Sequence, residues 1–470
     1  MMLAFVIFAV TFTISLILAV IYFYPGSTKY TTIPGASPSH PKDGNLADIG
    51  AAGSLHQYLK KLHNEHGPIV SFWFGQQMFV SLGSPELWRA HMKVFDRPPE
   101  LFLLFEPLIT KYSIQYQNKD EGRKRRKLTD NAFGHNMLGN FYSVFHDVVD
   151  ELCQKISSLP DTEHIPVCQY MMALALKGIT QTSFGDYFKD DEKAFEFRKH
   201  YDLCWYDLES RMSGDEPAPD SDRQKNFLKS RDFMHDTIRT IIKQRRNNPP
   251  VEDKQVFLDI LIQADIPEEQ LLADALTYVI GGLHTSGNAL SWCLYFLATH
   301  KDVEEKLYTE FKEVLGDEKV TPETIGKLVY TRQVLDETMR TAVLAPTAAR
   351  FQEMDVQIGG HIVPKMTPVI HALGVVQEDE KYWPEPRKFD PDRFSEENSK
   401  HRDKLAFSPF GFAGKRMCPG YRFSYVELTV FLSQLIRKFK FNLVEGLVIE
   451  PVHGLVTTPS DEIWVTVEKR

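Results

Sequence analysis

The chain has 470 residues, 63 acidic against 54 basic side chains for a net charge of −9, and is 43% hydrophobic and 12% aromatic. A chain of this length and apolar content excludes disorder as its main state and allows up to three domains at ~150 residues each. Its acidic balance excludes a protein that mainly coats nucleic acid, which wants a basic field. The five cysteines, Cys153, Cys168, Cys204, Cys293 and Cys418, lie far apart and make no C-x-x-C pair, so neither a disulfide framework nor a zinc ribbon fits.

Residues 1–24 carry no charged side chain and stop at Pro25-Gly26. About 20 apolar residues suffice to cross a bilayer. No basic stretch precedes the run and no A-x-A site closes it, so a retained single-pass transmembrane anchor is expected rather than a cleaved signal peptide. Lys29 is the first charged residue, which by the positive-inside rule puts the body in the cytosol. Residues 25–50, rich in Pro, Gly, Ser and Thr, read as an extended tether. Residues 51–470 form the body.

An amphipathic helix is expected over residues 55–63, then a hairpin of two β-type runs at 69–74 and 78–82 around Gly75. From 87 to 316 the pattern is overwhelmingly helical, with an unusually long run over 268–300. The breaks at 214–222 and 247–254 read as loops between helices. β-type runs return at 356–358, 362–363 and 368–371, a Pro-rich stretch covers 382–394, and a last helix spans 421–438. The fold class is mainly α with a minor β part.

Residues 408–420, SPFGFAGKRMCPG, are the most informative stretch. Gly414 and Gly420 are expected to adopt conformations other residues resist, letting amide N–H groups face the Cys418 sulfur while the next helix begins beside it. Both features stabilise a thiolate, and Arg416 adds a cation for an acidic ligand. Read alone, Cys418 is a buried free cysteine in a glycine turn. A phosphate loop does not fit, because Lys415 is followed by Arg416 where Ser or Thr is needed.

The spacing G-x-R-x-C-x-G at Gly414, Arg416, Cys418 and Gly420 resembles the haem-binding signature of the cytochrome P-450 superfamily. Glu337 and Arg340 resemble its E-x-x-R, and Phe389 to Phe394, FDPDRF, its aromatic-Pro-Arg-Phe segment, whose Arg393 would join the same ion network. The resemblance implies haem b with Cys418 as axial thiolate on iron, and Arg126, Arg350 and Arg416 on the propionates. Gly122 stands where the family commonly has Trp. Gly411 replaces the family's Phe seven residues before the cysteine, which leaves Phe410 or Phe412 to pack by the sulfur. The fold implied is the helical haem domain with a small β-rich region.

Gly281-Gly282-Leu283-His284-Thr285-Ser286 lies inside the long helical run, where each glycine costs ~1 kcal/mol against Ala. Something must approach closely there, or the helix must bend. The run resembles the family's A/G-G-x-D/E-T-T/S over the haem. Thr285 matches the alcohol, and His284 replaces the acid. The resemblance implies Thr285 and His284 as the catalytic, proton-relaying pair, since an imidazole also relays protons. Read alone, Thr285 is a helix threonine bonding the Gly281 carbonyl and His284 a satisfied core histidine.

The activity implied is a monooxygenase that inserts one atom of dioxygen into a lipophilic small molecule at the endoplasmic reticulum membrane, facing the cytosol. Its electrons would come from NADPH through a flavoprotein reductase, with cytochrome b5 as a second donor. Arg123, Lys124, Arg125, Lys127, Lys415, Arg422 and Lys438 are candidates for the docking face. Residues 42–46, 53–55, 67–75 and 372–376 most resemble family 20, an orphan branch, which implies no particular substrate. Pocket-facing segments would include 101–105, 201–205 and 344–349. Two alternatives are a reductase-independent isomerase or peroxide-using enzyme, and a non-catalytic haem sensor or lipophile carrier.

Overall fold

A computed structural model describes residues 10–18, 31–212 and 215–470. Of the expected anchor, residues 10–18 are helical, with Ile14, Leu16 and Ile17 more than half exposed. The rest of it, 1–9 and 19–24, lies outside the described residues, as do 25–30 of the tether. No helix among the described residues is long and apolar enough to cross a membrane.

Residues 31–45, expected as a loose tether, are extended but packed. Ile33 is fully buried, the Ser71 N–H donates to the Pro34 carbonyl at 2.8 Å, and the Asn45 N–H to Trp73 at 2.7 Å. The segment thereby meets open polar groups on the flank of the first strand, which would otherwise stay unpaired.

That strand, Ile69–Phe74, pairs antiparallel with Gln77–Leu82 in the expected hairpin. Gln77–Leu82 pairs parallel with Val369–His371, which pairs antiparallel with Ala348–Arg350, giving a four-stranded mixed sheet. Its two faces pack into two small apolar clusters, one centred on Trp88 and Trp383 and the other on Tyr58 and Phe72.

The larger core is helical. Its centre is Glu268–Thr299, which packs most extensively on Val167–Phe184. The contact is close because two glycines remove side chains from it. A Cβ on Gly282 would lie 2.6 Å from Ile179 Cδ1, and one on Gly287 2.1 Å from Met172 Sδ. This is the close approach expected of the glycine pair, and Gly282 supplies it. The last helix, Tyr421–Lys438, covers the same residues as expected from sequence. It buries Phe431, Leu432 and Leu435 completely, each contributing about 1.5–3 kcal/mol on leaving water, and packs against His135–Ser157. The long central helix and this last one, which follows directly on Cys418, set the geometry of the site.

Candidate haem-thiolate site

Cys418 is half-buried in a loop whose backbone is pinned at several points. Its N–H donates to the Phe410 carbonyl at 2.9 Å, Arg416 N–H to Ala413 at 3.1 Å, and Gly414 N–H to Met92 at 2.8 Å. Gly414 has φ +68°, and a Cβ there would stand 2.1 Å from the Val94 carbonyl oxygen, so no other residue fits. Gly420 differs from expectation. Its φ is −80°, an ordinary value for any residue, and its contribution is an N–H that hydrogen-bonds the Cys418 thiol. Burial raises the thiol pKa, opposed by that N–H and by the charges of Arg126 and Arg97.

The two phenylalanines part company. Phe412 stacks on Trp88 at 5.2 Å and His371 at 4.7 Å, on the sheet side. Phe410 stays with the cysteine through its carbonyl, and its ring packs on Tyr425 at 5.4 Å. Gly411 between them has φ +74° with open space at its Cβ. Gly122 is crowded, since a Cβ there would lie 2.5 Å from the Gln117 carbonyl oxygen and 3.0 Å from Phe95 Cε1. No indole could occupy that place.

The fold brings Arg126, Arg350 and Arg416 to this loop. Arg126 donates to the Met417 carbonyl at 2.8 Å and pairs with Asp130. Arg350 donates to Ala413 and Arg416 carbonyls at 3.2 and 3.3 Å. Arg416 donates to the carbonyls of Gln117 at 2.6 Å and Ile114 at 2.8 Å. A fourth arginine, Arg97, donates to the Arg416 carbonyl at 3.2 Å and to Gln115 Oε1 at 2.9 Å. Sequence reasoning missed it, because only folding places residue 97 beside residue 416.

These guanidiniums repel one another in a buried setting. Burial, then each other's charge, depresses Arg97 to about 10, Arg350 to about 9 and Arg416 to about 8. Arginine keeps its proton in proteins, so such a cluster demands anions. Arg350 Nε and Arg416 Nε are buried without a hydrogen-bond partner among the described residues. A flat cofactor carrying two carboxylates fits these residues, and Cys418 would supply its thiolate.

The central helix carries Gly281, which is exposed, and nothing lies within 4 Å of a Cβ placed on it. Thr285 is half-exposed and donates to the Gly281 carbonyl at 2.6 Å. His284 turns into the protein. Its ring stacks on Trp205 at 3.9 Å and Tyr201 at 5.5 Å, both on Asp191–Met212, and its Nε2 is buried without a partner among the described residues. Burial, then Arg198, lowers its pKa to about 3, so the ring is neutral at physiological pH. The relay role expected for His284 finds no support in this geometry.

Glu337 and Arg340 are both fully buried on Val329–Thr341. They pair bidentately at 2.7 and 2.8 Å, and Arg393 Nε stands 3.3 Å from Glu337 Oε1. Arg340 also donates to the Gln377 and Pro386 carbonyls, tying the Pro-rich stretch to the helix. The expected docking face loses one member. Arg125 is buried and paired with Asp274 at 2.6 Å, while Arg123, Lys124, Lys127, Lys415, Arg422 and Lys438 are exposed.

The family profile described as cytochrome P-450 matches residues 34–466. The chain is 37% identical over all of its length and all of the relative's to cytochrome P-450 20A1 of Homo sapiens, and 36% identical, again end to end, to that of Mus musculus. It is 26% identical to cytochrome P-450 4V2 of Mus musculus over 86% of this chain and 83% of the relative. On the profile match over nearly the whole chain and the end-to-end likeness to these relatives, the chain belongs to the cytochrome P-450 family and is a haem-thiolate monooxygenase.

Proposed function

We propose that the protein is a membrane-anchored monooxygenase of the endoplasmic reticulum that oxidises a lipophilic small molecule, with electrons from NADPH through a flavoprotein reductase and cytochrome b5 as a second donor. The observation that carries the substrate class is the aromatic character of the segments expected to face the cleft. Phe105 and Trp205 meet at 6.0 Å, and Trp205 continues into the stack with Tyr201 and His284. These rings are buried in the helical core, and the aromatic character of the two segments supports a ligand bound by apolar contact with little hydrogen bonding. The apolar run of residues 1–24 supports the anchor, and the exposed cations around residues 123–127, 415 and 422 support docking of an acidic electron carrier.

When bound, the haem supplies dioxygen reduction and oxygen-atom transfer, and a thiolate ligand favours O–O cleavage. The chain's residues do the rest. Cys418 donates its sulfur from a loop that Gly414 and the Gly420 N–H hold in place. Arg97, Arg126, Arg350 and Arg416 would neutralise two carboxylates. Thr285 holds a hydroxyl at the cleft.

The test is NADPH oxidation by the full chain in vesicles with the reductase, screened against lipophilic compounds. Product should form only when all components are present, and Cys418→Ser should abolish both product and the red-shifted carbon monoxide band of the reduced protein. Turnover that persists without a reductase would overturn the electron-supply reading.

A further inference from the structure

Beside the thiolate loop lies a phenol with no role assigned above. Tyr421–Lys438 begins three residues after Cys418, and Tyr425 sits one turn into it, about 6 Å of helical rise past its first residue. The ring is buried and packs on the Phe410 ring at 5.4 Å, while the Phe410 carbonyl accepts the Cys418 N–H at 2.9 Å. One phenylalanine therefore separates the phenol from the residue that carries the sulfur.

The Tyr425 hydroxyl donates to Asp336 Oδ1. Asp336 belongs to Val329–Thr341 and is as buried as the phenol. Its two oxygens accept from Arg332 Nε at 3.1 and 3.0 Å. The Arg332 guanidinium lies over the Tyr425 ring, 3.4 Å from its centre, and the arginine side chain is exposed. Burial raises the Asp336 pKa, opposed by Arg332 and by the Tyr425 hydroxyl. Burial and the Asp336 charge raise that of Tyr425. The phenol thus keeps its proton and holds it against a carboxylate more basic than an exposed one.

A hydrogen bond between buried partners is by itself a packing feature. Its placement gives this one more. A phenol gives up an electron readily only when its proton leaves at the same time, because the oxidised phenol is a strong acid, and here the base is already in contact. Tyr421 also approaches Phe410, at 6.3 Å, but it has the Arg422 cation over its ring and no carboxylate on its hydroxyl among the described residues.

We propose that Tyr425 is a redox-active residue that gives one electron to the oxidised haem centre, through Phe410 and the Cys418 loop, and its proton to Asp336 when no substrate takes the oxygen atom. The inference rests on the haem-thiolate reading and adds an internal electron donor to it. In the step the Tyr425 O–H bond breaks, the oxidised centre gains one electron, and an O–H bond forms on Asp336 Oδ1. The products are a neutral tyrosyl radical and a carboxylic acid beside Arg332. The oxidant is the one that the monooxygenase activity makes from dioxygen and donated electrons, or from hydrogen peroxide. A diffusible one-electron reductant of the ascorbate or thiol class, arriving on the exposed Arg332 side, returns the electron while Asp336 returns the proton. The chain thereby discharges an oxidant that would otherwise attack its own cofactor.

The experiment mixes full-length, haem-loaded ferric protein with hydrogen peroxide in the absence of substrate and freezes it rapidly for electron paramagnetic resonance. A tyrosyl signal is expected, and its hyperfine lines should collapse in protein made with ring-deuterated tyrosine. Tyr425→Phe keeps the ring against Phe410 and beneath Arg332 and removes only the hydroxyl, so a packing role survives the change. The signal should be lost, and bleaching of the Soret band by peroxide should be faster than in the wild type. A wild type that bleaches without a tyrosyl signal, an undiminished signal in Tyr425→Phe, or an unchanged bleaching rate overturns the proposal. Should that variant fail to fold, Asp336→Asn keeps the size and an acceptor for the hydroxyl but is no base. Its signal should also be lost, and a signal of wild-type strength overturns the proposal. The carbon monoxide spectrum of the same samples tests the haem-thiolate reading separately, since protein that shows the red-shifted band and no tyrosyl signal refutes this inference alone.

Discussion

Arg340→Met removes one partner of the buried pair on Val329–Thr341 and leaves the other in place. In the wild type Glu337 accepts two bonds from Arg340 at 2.7 and 2.8 Å and one from the Asp390 N–H at 2.9 Å. Neither side chain is exposed to solvent, so water cannot replace the lost donors. The Gln377 and Pro386 carbonyls lose their donor as well. Breaking a buried pair costs about 3–5 kcal/mol, because the remaining charge stays uncompensated, and Arg393 offsets part of this from 3.3 Å. A loss near 3 kcal/mol is therefore expected, a large share of the roughly 5–15 kcal/mol that holds a domain folded. Urea unfolding of haem-loaded protein, followed by circular dichroism and by the Soret band in the same samples, measures it. Lys189→Ala breaks an exposed pair with Asp186 and should leave the midpoint unchanged. A loss below about 1 kcal/mol for Arg340→Met, the range of exposed pairs, would refute the argument that burial gives this pair its weight.

Two glycines of the thiolate loop should respond differently to alanine. Gly414→Ala forces a Cβ to within 2.1 Å of a backbone oxygen and should cost more than the roughly 1–3 kcal/mol of backbone strain, whereas Gly411→Ala, with open space, should cost only that strain. Thermal unfolding of the two variants checks the order. The low pKa of His284 sets an acid limit on stability. Its folded value of about 3 lies below the usual 6.5, so its contribution is complete above pH 6.5 and is lost as pH falls toward 3. Each such histidine steepens the loss by about 1.4 kcal/mol per pH unit. His284→Phe should flatten the stability curve between pH 6 and about 4 by one proton's slope, read from urea midpoints, and an unchanged slope would mean that the ring already titrates in the fold. Thr285→Ala should raise the hydrogen peroxide formed per NADPH by about 10-fold or more if the cleft hydroxyl directs protons, and equal yields would remove it from that role.

The parts of the molecule legible in the sequence were those with dense local signal. Tyr421–Lys438 and Glu268–Thr299 are apolar enough around the helix to announce burial. The hairpin at 69–82 alternated around a glycine turn, and Cys418 stood out by its flanking glycines. The illegible parts depend on partners far apart in the chain. Nothing local tells that His284 will be held by Trp205, that Arg125 will be neutralised by Asp274, or that Arg97 will reach the Arg416 carbonyl. The arrangement around Gly420 was misread for another reason. A glycine in a loop suggests a left-handed residue, yet here φ is −80° and a Cβ would stand in ordinary contact 3.8 Å from Cys418 Sγ, so what the position supplies is its N–H to the sulfur. Residues 31–45 were polar and Pro-rich enough to suggest a tether, and only the open flank of the first strand makes them part of the fold.

The arginine cluster explains how a loop without regular secondary structure can hold a metal ligand firmly. Arg416 and Arg97 bridge residues 97–118 to the loop through backbone carbonyls and side-chain oxygens, and Arg350 fastens the loop to the mixed sheet. The bonds to backbone satisfy carbonyls that an irregular segment would otherwise leave unpaired. The same guanidiniums concentrate positive charge where few protein anions approach, Asp130 beside Arg126 being one. That concentration is unfavourable for the polypeptide alone and favourable once two carboxylates enter. The residues that shape the loop are thus also the ones whose repulsion a dicarboxylate cofactor would relieve, which would link cofactor binding and loop order through a common set of side chains.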